Sequence, residues 1–200
     1  NFNMSVMATN EFMAAIAADE TWDLVWQGAV MRRLRARDLW NAIMKQTYAA
    51  AEPGVLFIDR INAANPLRYL EVIAATNSCA EQPLPPNGTC PLASINLSQL
   101  VSAPFTPDAR LDVTQLRQLV RVAVRMLDNS LDVSRFALDA QRQQAQDQRH
   151  IGVGVTGVAN AIAMMGVRYG SSKAVFLLGS WMQTIQNAAY GASALLANER

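Results

Sequence analysis

Histidine occurs once and cysteine twice in these 200 residues. Two thiols cannot frame a disulfide-stapled scaffold, and with His150 alone beside them they fall short of the four ligands a structural zinc site needs. Ten glycines and eight prolines are too few for collagen-like or low-complexity chains. Charged residues reach only 16%, below the usual ~25%, so much of this chain is expected to lie inside something. Excess charge of one sign is also missing: 17 Lys+Arg against 16 Asp+Glu leaves +1, which gives no electrostatic case for nucleic acid or a membrane surface. No run approaches the ~20 apolar residues that cross a bilayer. The softest stretch, 153–167, is broken by Gly154, Thr156, Gly157, Asn160 and Gly166. The first residues lack an initiating Met, a basic region and a cleavage site, and the last ones read as helix without a stop signal. Both ends predict an internal piece of a longer protein.

What is present is apolar. A hydrophobic content of 51% excludes disorder, and a chain of this length can bury roughly 70% of its unfolded surface. Residues 2–7 read as a short strand, and Thr9 or Asn10 as the cap of a helix over 12–18. A helix over 37–51 repeats apolar residues at three and four and stops at Glu52-Pro53-Gly54. Val55 to Ile58 is a compact apolar run, and Asn65-Pro66 breaks the chain again. The cleanest helix spans 113–131, with Leu116, Leu119, Val120, Ala123, Val124, Leu127 and Leu131 on one face and Asp112 or Thr114 as cap. A Gln-rich stretch over 141–148 leads to a strand at 151–155, then helices over 158–165 and 174–196. Helices with short strands between them make α/β the fold class.

Gly152-Val153-Gly154-Val155-Thr156-Gly157 matches a dinucleotide-binding fingerprint but fails its context. That motif requires a hydrophobic strand ahead and an acid about twenty residues on. Gln144 to His150 precede it, and the only later acid is Glu199. The glycines predict tight strand-to-helix packing instead.

The segment 76–98 does not read as scaffold. Four prolines and Gly88 forbid regular helix between Gln82 and Pro91, and long ordered loops tend to be functional. Both cysteines, Cys79 and Cys90, lie in it. On an extended backbone Asn77, Cys79 and Glu81 would share one face, putting an amide, a thiol and a carboxylate together. The thiol could be a nucleophile, a metal ligand, a disulfide partner of Cys90 or a radical carrier, and the carboxylate a base. A buried structural cysteine in a capped turn fits the spacing equally well, and a Cys-His pair with His150 has no local signature.

Asn77-Ser78-Cys79-Ala80-Glu81-Gln82-Pro83-Leu84-Pro85-Pro86, then Gly88-Thr89-Cys90 and Ser94-Ile95-Asn96-Leu97, resembles the catalytic loop of ribonucleotide reductase large chains, above all the adenosylcobalamin-dependent class II. Further blocks are similar in family order: Asn1 to Val6, Gly54 to Asn62, Asn65-Pro66-Leu67, Arg125 to Val133 and Ile151 to Gly157. The resemblance covers essentially the whole chain. It departs at Ser78 and Ala80, where the pattern commonly has Pro and Gly, and at Pro91 and Ala93, where it has Asn and Gly.

The resemblance implies a ten-stranded α/β barrel crossed by a finger loop, here about 76–92, with 1–200 as part of that single catalytic domain and no separate second one. It implies ribonucleotide reduction to 2′-deoxyribonucleotides, in the cytoplasm. Cys79 would become the thiyl radical that takes the 3′ hydrogen. Glu81 would be the base for the 3′ hydroxyl, and Asn77 would hydrogen-bond the substrate hydroxyls. Ser78 joins Asn77, Cys79 and Glu81 among the substrate-binding residues. Cys90 would be one member of the redox pair that ends as a disulfide. Adenosylcobalamin is the implied cofactor of the complete chain, and no metal site is expected. Implied partners are the ribonucleotide, nucleotide effectors bound outside these residues and a dithiol or thioredoxin-like reductant, with a homodimer allowed and no nucleic acid or membrane. The second redox cysteine, the phosphate-binding segment and the recycling cysteines would also lie outside, so these 200 residues alone are expected to reduce nothing. A class I large subunit, or a barrel segment with a structural or binding role only, are the alternatives.

Overall fold

A computed structural model describes residues 3–199 and confirms a mixture of helices and short strands. The chain divides into two compact units, residues 1–86 and 87–200.

In the first unit β1 (Ser5–Ala8) leads into α1 (Asn10–Ala18). The expected strand over 2–7 thus sits slightly later, and Phe2 lies outside the described residues. Thr9 caps α1 by accepting the Phe12 N–H at 3.1 Å, one of the donors a helix start leaves unpaired. A hairpin follows, β2 (Thr21–Trp26) and β3 (Ala29–Arg35). Its Gln27-Gly28 turn has φ of 48° and 81°, the doubly left-handed turn whose twist suits adjacent strands. Asp23 and Arg33 face each other across it in a two-bond pair at 2.6 and 2.8 Å. Next come α2 (Ala36–Ala50), β4 (Gly54–Phe57), α3 (Ile58–Ala64), β5 (Ala75–Thr76) and β6 (Pro83–Leu84). β1 and β4 are parallel, with Ser5 opposite Gly54. A Cβ on Gly54 would fall 2.8 Å from Ser5 Oγ, so glycine lets the strands close. Phe12 centres the core, 5.0 Å from the Trp22 ring and 6.5 Å from that of Trp40, among Ala8, Ala15 and Ala36.

In the second unit β7 (Leu92–Asn96) runs through a 3-10 turn (Leu97–Leu100) to β8 (Val101–Ser102) and β9 (Arg110–Leu111). Then follow α4 (Val113–Val133), α5 (Asp139–Gln148), β10 (Gly152–Thr156), α6 (Val158–Met164) and α7 (Ser172–Glu199). The predicted apolar face of α4 is the buried one: Leu116, Val120, Ala123, Val124, Leu127 and Leu131 all go inside, while Leu119 stays at the surface. Asp112 caps it, accepting the Gln115 N–H at 2.9 Å. The core pairs this face with Trp181, Ile185 and Leu196 of α7 and with Ile95, Leu97 and Ile162. β7 and β10 run parallel, Leu92 opposite Gly152 and Asn96 opposite Thr156. Gly157 bears out the tight packing read from the sequence. Its φ is 68°, and a Cβ there would meet Asn96 Oδ1 at 2.4 Å.

The Gln-rich stretch is helical, as α5, with Ala145 as its buried residue. Strands pair two by two among the described residues, and no closed barrel forms. No helix among them is long and apolar enough to cross a membrane.

Candidate functional site

The segment from Ala75 to Leu84 in the first unit is a hairpin. β5 and β6 pair antiparallel, Ala75 opposite Leu84 and Thr76 opposite Pro83, and residues 77–82 form the tip. The ladder extends one step further down, where the Ala74 N–H donates to the Leu84 carbonyl at 3.1 Å. Leu84 and Pro85 are buried at the base, whereas Ser78, Cys79, Ala80 and Glu81 are exposed.

Asn77 closes the tip twice. Its N–H donates to the Gln82 carbonyl and its Oδ1 accepts the Gln82 N–H, both at 3.1 Å. Within that ring the Ala80 N–H donates to the Asn77 carbonyl at 3.1 Å, making a turn over 77–80, and Ala80 has φ 67°. The tip is therefore curled rather than extended, and a two-residue alternation does not set where its side chains lie. Asn77, Ser78, Cys79 and Glu81 are still brought together on one six-residue turn. Left-handed φ at Ala80 disfavours any side chain by about 1–2 kcal/mol, which gives a physical reason for glycine at this position in the resembled pattern.

Asparagines that composition gave no reason to single out hold the hairpin. Asn62 on α3 donates through Nδ2 to the Ile58 and Ile73 carbonyls, both at 3.1 Å, and accepts the Ile73 N–H at 2.8 Å. This clasp fixes the chain two residues before β5. Asn65 accepts the Leu67 N–H at 2.9 Å and donates to Glu71 at 3.0 Å, and Asn3 donates to the Ser78 carbonyl at 2.9 Å. Asn3, Asn62 and Asn65 all stand in the quoted blocks, and Asn65 also in the Asn65-Pro66 chain break.

Cys79 is an exposed free thiol with Ser78 Oγ 3.9 Å away. Cys90 belongs to the second unit, half-buried, with Sγ 3.9 Å from the Pro91 carbonyl. That carbonyl accepts the Gly152 N–H at 3.0 Å, tying the residue after Cys90 to β10. β10 is itself anchored by Arg149, in the left-handed cap of α5. Its Nε meets Asp128 Oδ1 at 2.7 Å, Nη2 the Asp128 carbonyl at 2.9 Å and Nη1 Asp132 at 2.9 Å. The Asp128 carboxylate, then that of Asp132, holds the guanidinium further above its ordinary pKa. His150 follows directly, half-buried in the same unit. Among the described residues no group of three or more His, Cys, Asp or Glu could hold a metal ion.

A mixed α/β protein that presents a cysteine and a carboxylate together on an anchored hairpin tip is the class these features define. Residues 1–200 match the family described as ribonucleotide reductase, barrel domain, and the chain belongs to that family. It is 40% identical over 202 residues to a vitamin B12-dependent ribonucleoside-diphosphate reductase of Mycobacterium tuberculosis, covering all of this chain and 28% of that protein. A protein of the same description from Thermoplasma acidophilum is 36% identical, again over all of this chain and 26% of the relative. The ribonucleoside-diphosphate reductase subunit alpha of Chlamydia muridarum is 30% identical over 84% of this chain and 16% of its own length. The chain thus spans between about a sixth and just over a quarter of these relatives.

Proposed function

We propose that this chain supplies the finger loop and part of the ten-stranded barrel of a cobalamin-dependent ribonucleotide reductase, both units belonging to one catalytic domain in the complete protein. The observation that carries the reading is the 77–82 tip: an exposed thiol and carboxylate on one closed turn, in a chain of the reductase barrel family. The names of the B12-dependent relatives favour a ribonucleoside diphosphate as substrate.

The tip residues suit distinct tasks. Cys79, as a thiyl, takes the 3′ hydrogen and regains its S–H bond, leaving the unpaired electron on the ribose. Glu81 accepts the 3′ hydroxyl proton while a thiol of the redox pair protonates the 2′ hydroxyl, which leaves as water. Asn77 holds the substrate hydroxyls, and Cys79 finally returns the hydrogen to the 3′ carbon and is a thiyl again. Asn77 Oδ1 is already engaged by the Gln82 N–H, so its NH2 group is the part that donates to substrate. Ser78 lies beside Cys79 to complete the binding surface. Cys90 and a second thiol outside these residues reduce the 2′ carbon by two electrons and end as a disulfide, which a dithiol or thioredoxin-like protein reopens. Positioning of this kind can supply several kcal/mol of a barrier, and a general base contributes ~10²–10⁴-fold.

The residues present fit adenosylcobalamin at one point: Cys79, exposed at the tip, offers a hydrogen atom without leaving a packed core. When bound, that group supplies the radical equivalent side chains cannot generate. Nucleotide effectors, a homodimer and a cytoplasmic setting complete the reading. The Chlamydia relative, named a subunit alpha, favours a second version in which a separate subunit provides the radical. Lower identity and coverage place it behind the first.

The test is ribonucleotide reduction by the full-length chain with a dithiol, with and without adenosylcobalamin, beside Cys79→Ala. Turnover that requires the cofactor and vanishes in the variant is expected. Turnover that persists without Cys79 would overturn the reading.

A further inference from the structure

α4 and α7 of the second unit border a groove of about 370 Å³ lined by Arg117, Arg121, Ser180, Gln183, Thr184, Asn187 and Ala188. No carboxylate lines it. Arg117, Arg121 and Arg125 follow one another at four-residue steps along α4, so their side chains stack on one face. Arg125 is neutralised by Glu199, with bonds of 2.9 and 2.6 Å. Arg117 and Arg121 make no ion pair among the described residues, although like charges one turn apart disfavour the helix.

Polar groups on the α7 side complement them. The Thr184 hydroxyl is committed to the Ser180 carbonyl at 3.0 Å, and Asn187 Oδ1 accepts from Gln183 Nε2 at 3.0 Å. The Asn187 NH2 and the Ser180 hydroxyl remain as donors toward the groove. The lining is thus rich in donors, doubly cationic and acid-free, on a chain whose net charge of +1 gives no general attraction for anions.

We propose that this groove binds a polyphosphate anion. Each guanidinium fork pairs bidentately with one phosphoryl group, and two forks one turn apart suit two or more linked phosphoryl groups. Such a group could come from free inorganic polyphosphate or from the tail of a nucleotide. The groove belongs to the second unit alone, and the proposal does not depend on the reductase reading.

The test labels the arginines of the full-length chain with phenylglyoxal and reads each adduct by peptide mass spectrometry. Inorganic triphosphate and a nucleoside triphosphate are the two probes, with sodium chloride at matched ionic strength as control. Labelling at Arg117 and Arg121 should slow about tenfold when inorganic triphosphate stands at about ten times its Kd, with the nucleotide tested at the same concentration, while exposed Arg168 labels at its usual rate. Equal protection by both probes assigns recognition to the phosphates alone. Stronger protection by the nucleotide adds its nucleoside to the ligand. An Asn187→Ala chain should need about two- to tenfold more probe, the share of one neutral hydrogen bond. Unchanged labelling with both probes, or equal slowing at Arg168, would overturn the proposal.

Discussion

Replacing Arg149 by alanine tests how β10 is held. The guanidinium side chain is 27% exposed and that of Asp128 12%, so the substitution takes the countercharge from a mostly buried carboxylate and breaks three charge-assisted bonds. Breaking a buried pair from one side costs about 3–5 kcal/mol. The Asp132 arm is discounted, because that side chain is 43% exposed and such pairs contribute little. A loss of about 2–4 kcal/mol remains. An opposing term comes from the backbone. Arg149 has φ 48°, a region that disfavours non-glycine residues by about 1–2 kcal/mol. Arg149→Gly removes the same contacts but relieves that strain, so it should be about 1 kcal/mol less damaging than Arg149→Ala. Hydrogen exchange at the β10 amides, resolved by mass spectrometry, reads this locally. Arg149→Ala should exchange about 30- to 700-fold faster, and Arg149→Gly several-fold less so. Rates for Arg149→Ala within about threefold of the parent would refute the anchoring argument. A glycine variant no better than alanine would refute the strain argument alone.

Gly157→Ala should destabilise the second unit by about 2–4 kcal/mol in urea titration, since its Cβ would meet Asn96 Oδ1 at 2.4 Å with φ at 68°. Ala80→Gly should be nearly neutral, relief of the left-handed turn offsetting glycine's unfolded entropy, whereas Ala80→Val should cost about 1–2 kcal/mol, both measured by thermal unfolding. The bond from Arg33 holds the Asp23 carboxyl below its ordinary 3.8. A lowered carboxyl stabilises above the unfolded value and loses that contribution as pH falls through the folded one, so the pair should persist at pH 5 and part only below pH 3.8. An NMR titration of Asp23 with its midpoint at or above 3.8 would contradict the pairing.

How far the sequence could be read depended on how one-sided each element is. α4 was legible because its apolar stripe is its buried stripe. The β2–β3 hairpin was not, since every residue from Thr21 to Arg35 is exposed or half-buried and no alternation of burial is imposed on the sequence. α5 carries one buried residue, Ala145, and so has no apolar period to detect. α3, at seven residues with none buried, is held by its contacts rather than its propensity. The parallel pairing of β7 with β10 is a long-range fact that no window of sequence contains.

At the candidate site, residue identity was legible through resemblance and geometry was not. An extended chain explains Asn77, Cys79 and Glu81 by alternation, yet the tip achieves proximity by curling, and the same Asn77 that is expected to face substrate also closes the turn. Its Oδ1 is structural and its NH2 is available. It follows that loss of activity in Asn77→Ala would not measure a substrate contact, because the Gln82 N–H loses its acceptor and Cys79 loses its frame together. Asn77→Asp keeps an acceptor for Gln82 and exchanges the NH2 donors for a carboxylate oxygen and its negative charge. Comparing those two variants separates closure of the turn from what the far end of the side chain is proposed to offer substrate, and it does so only because the turn is closed by the oxygen and not by the nitrogen.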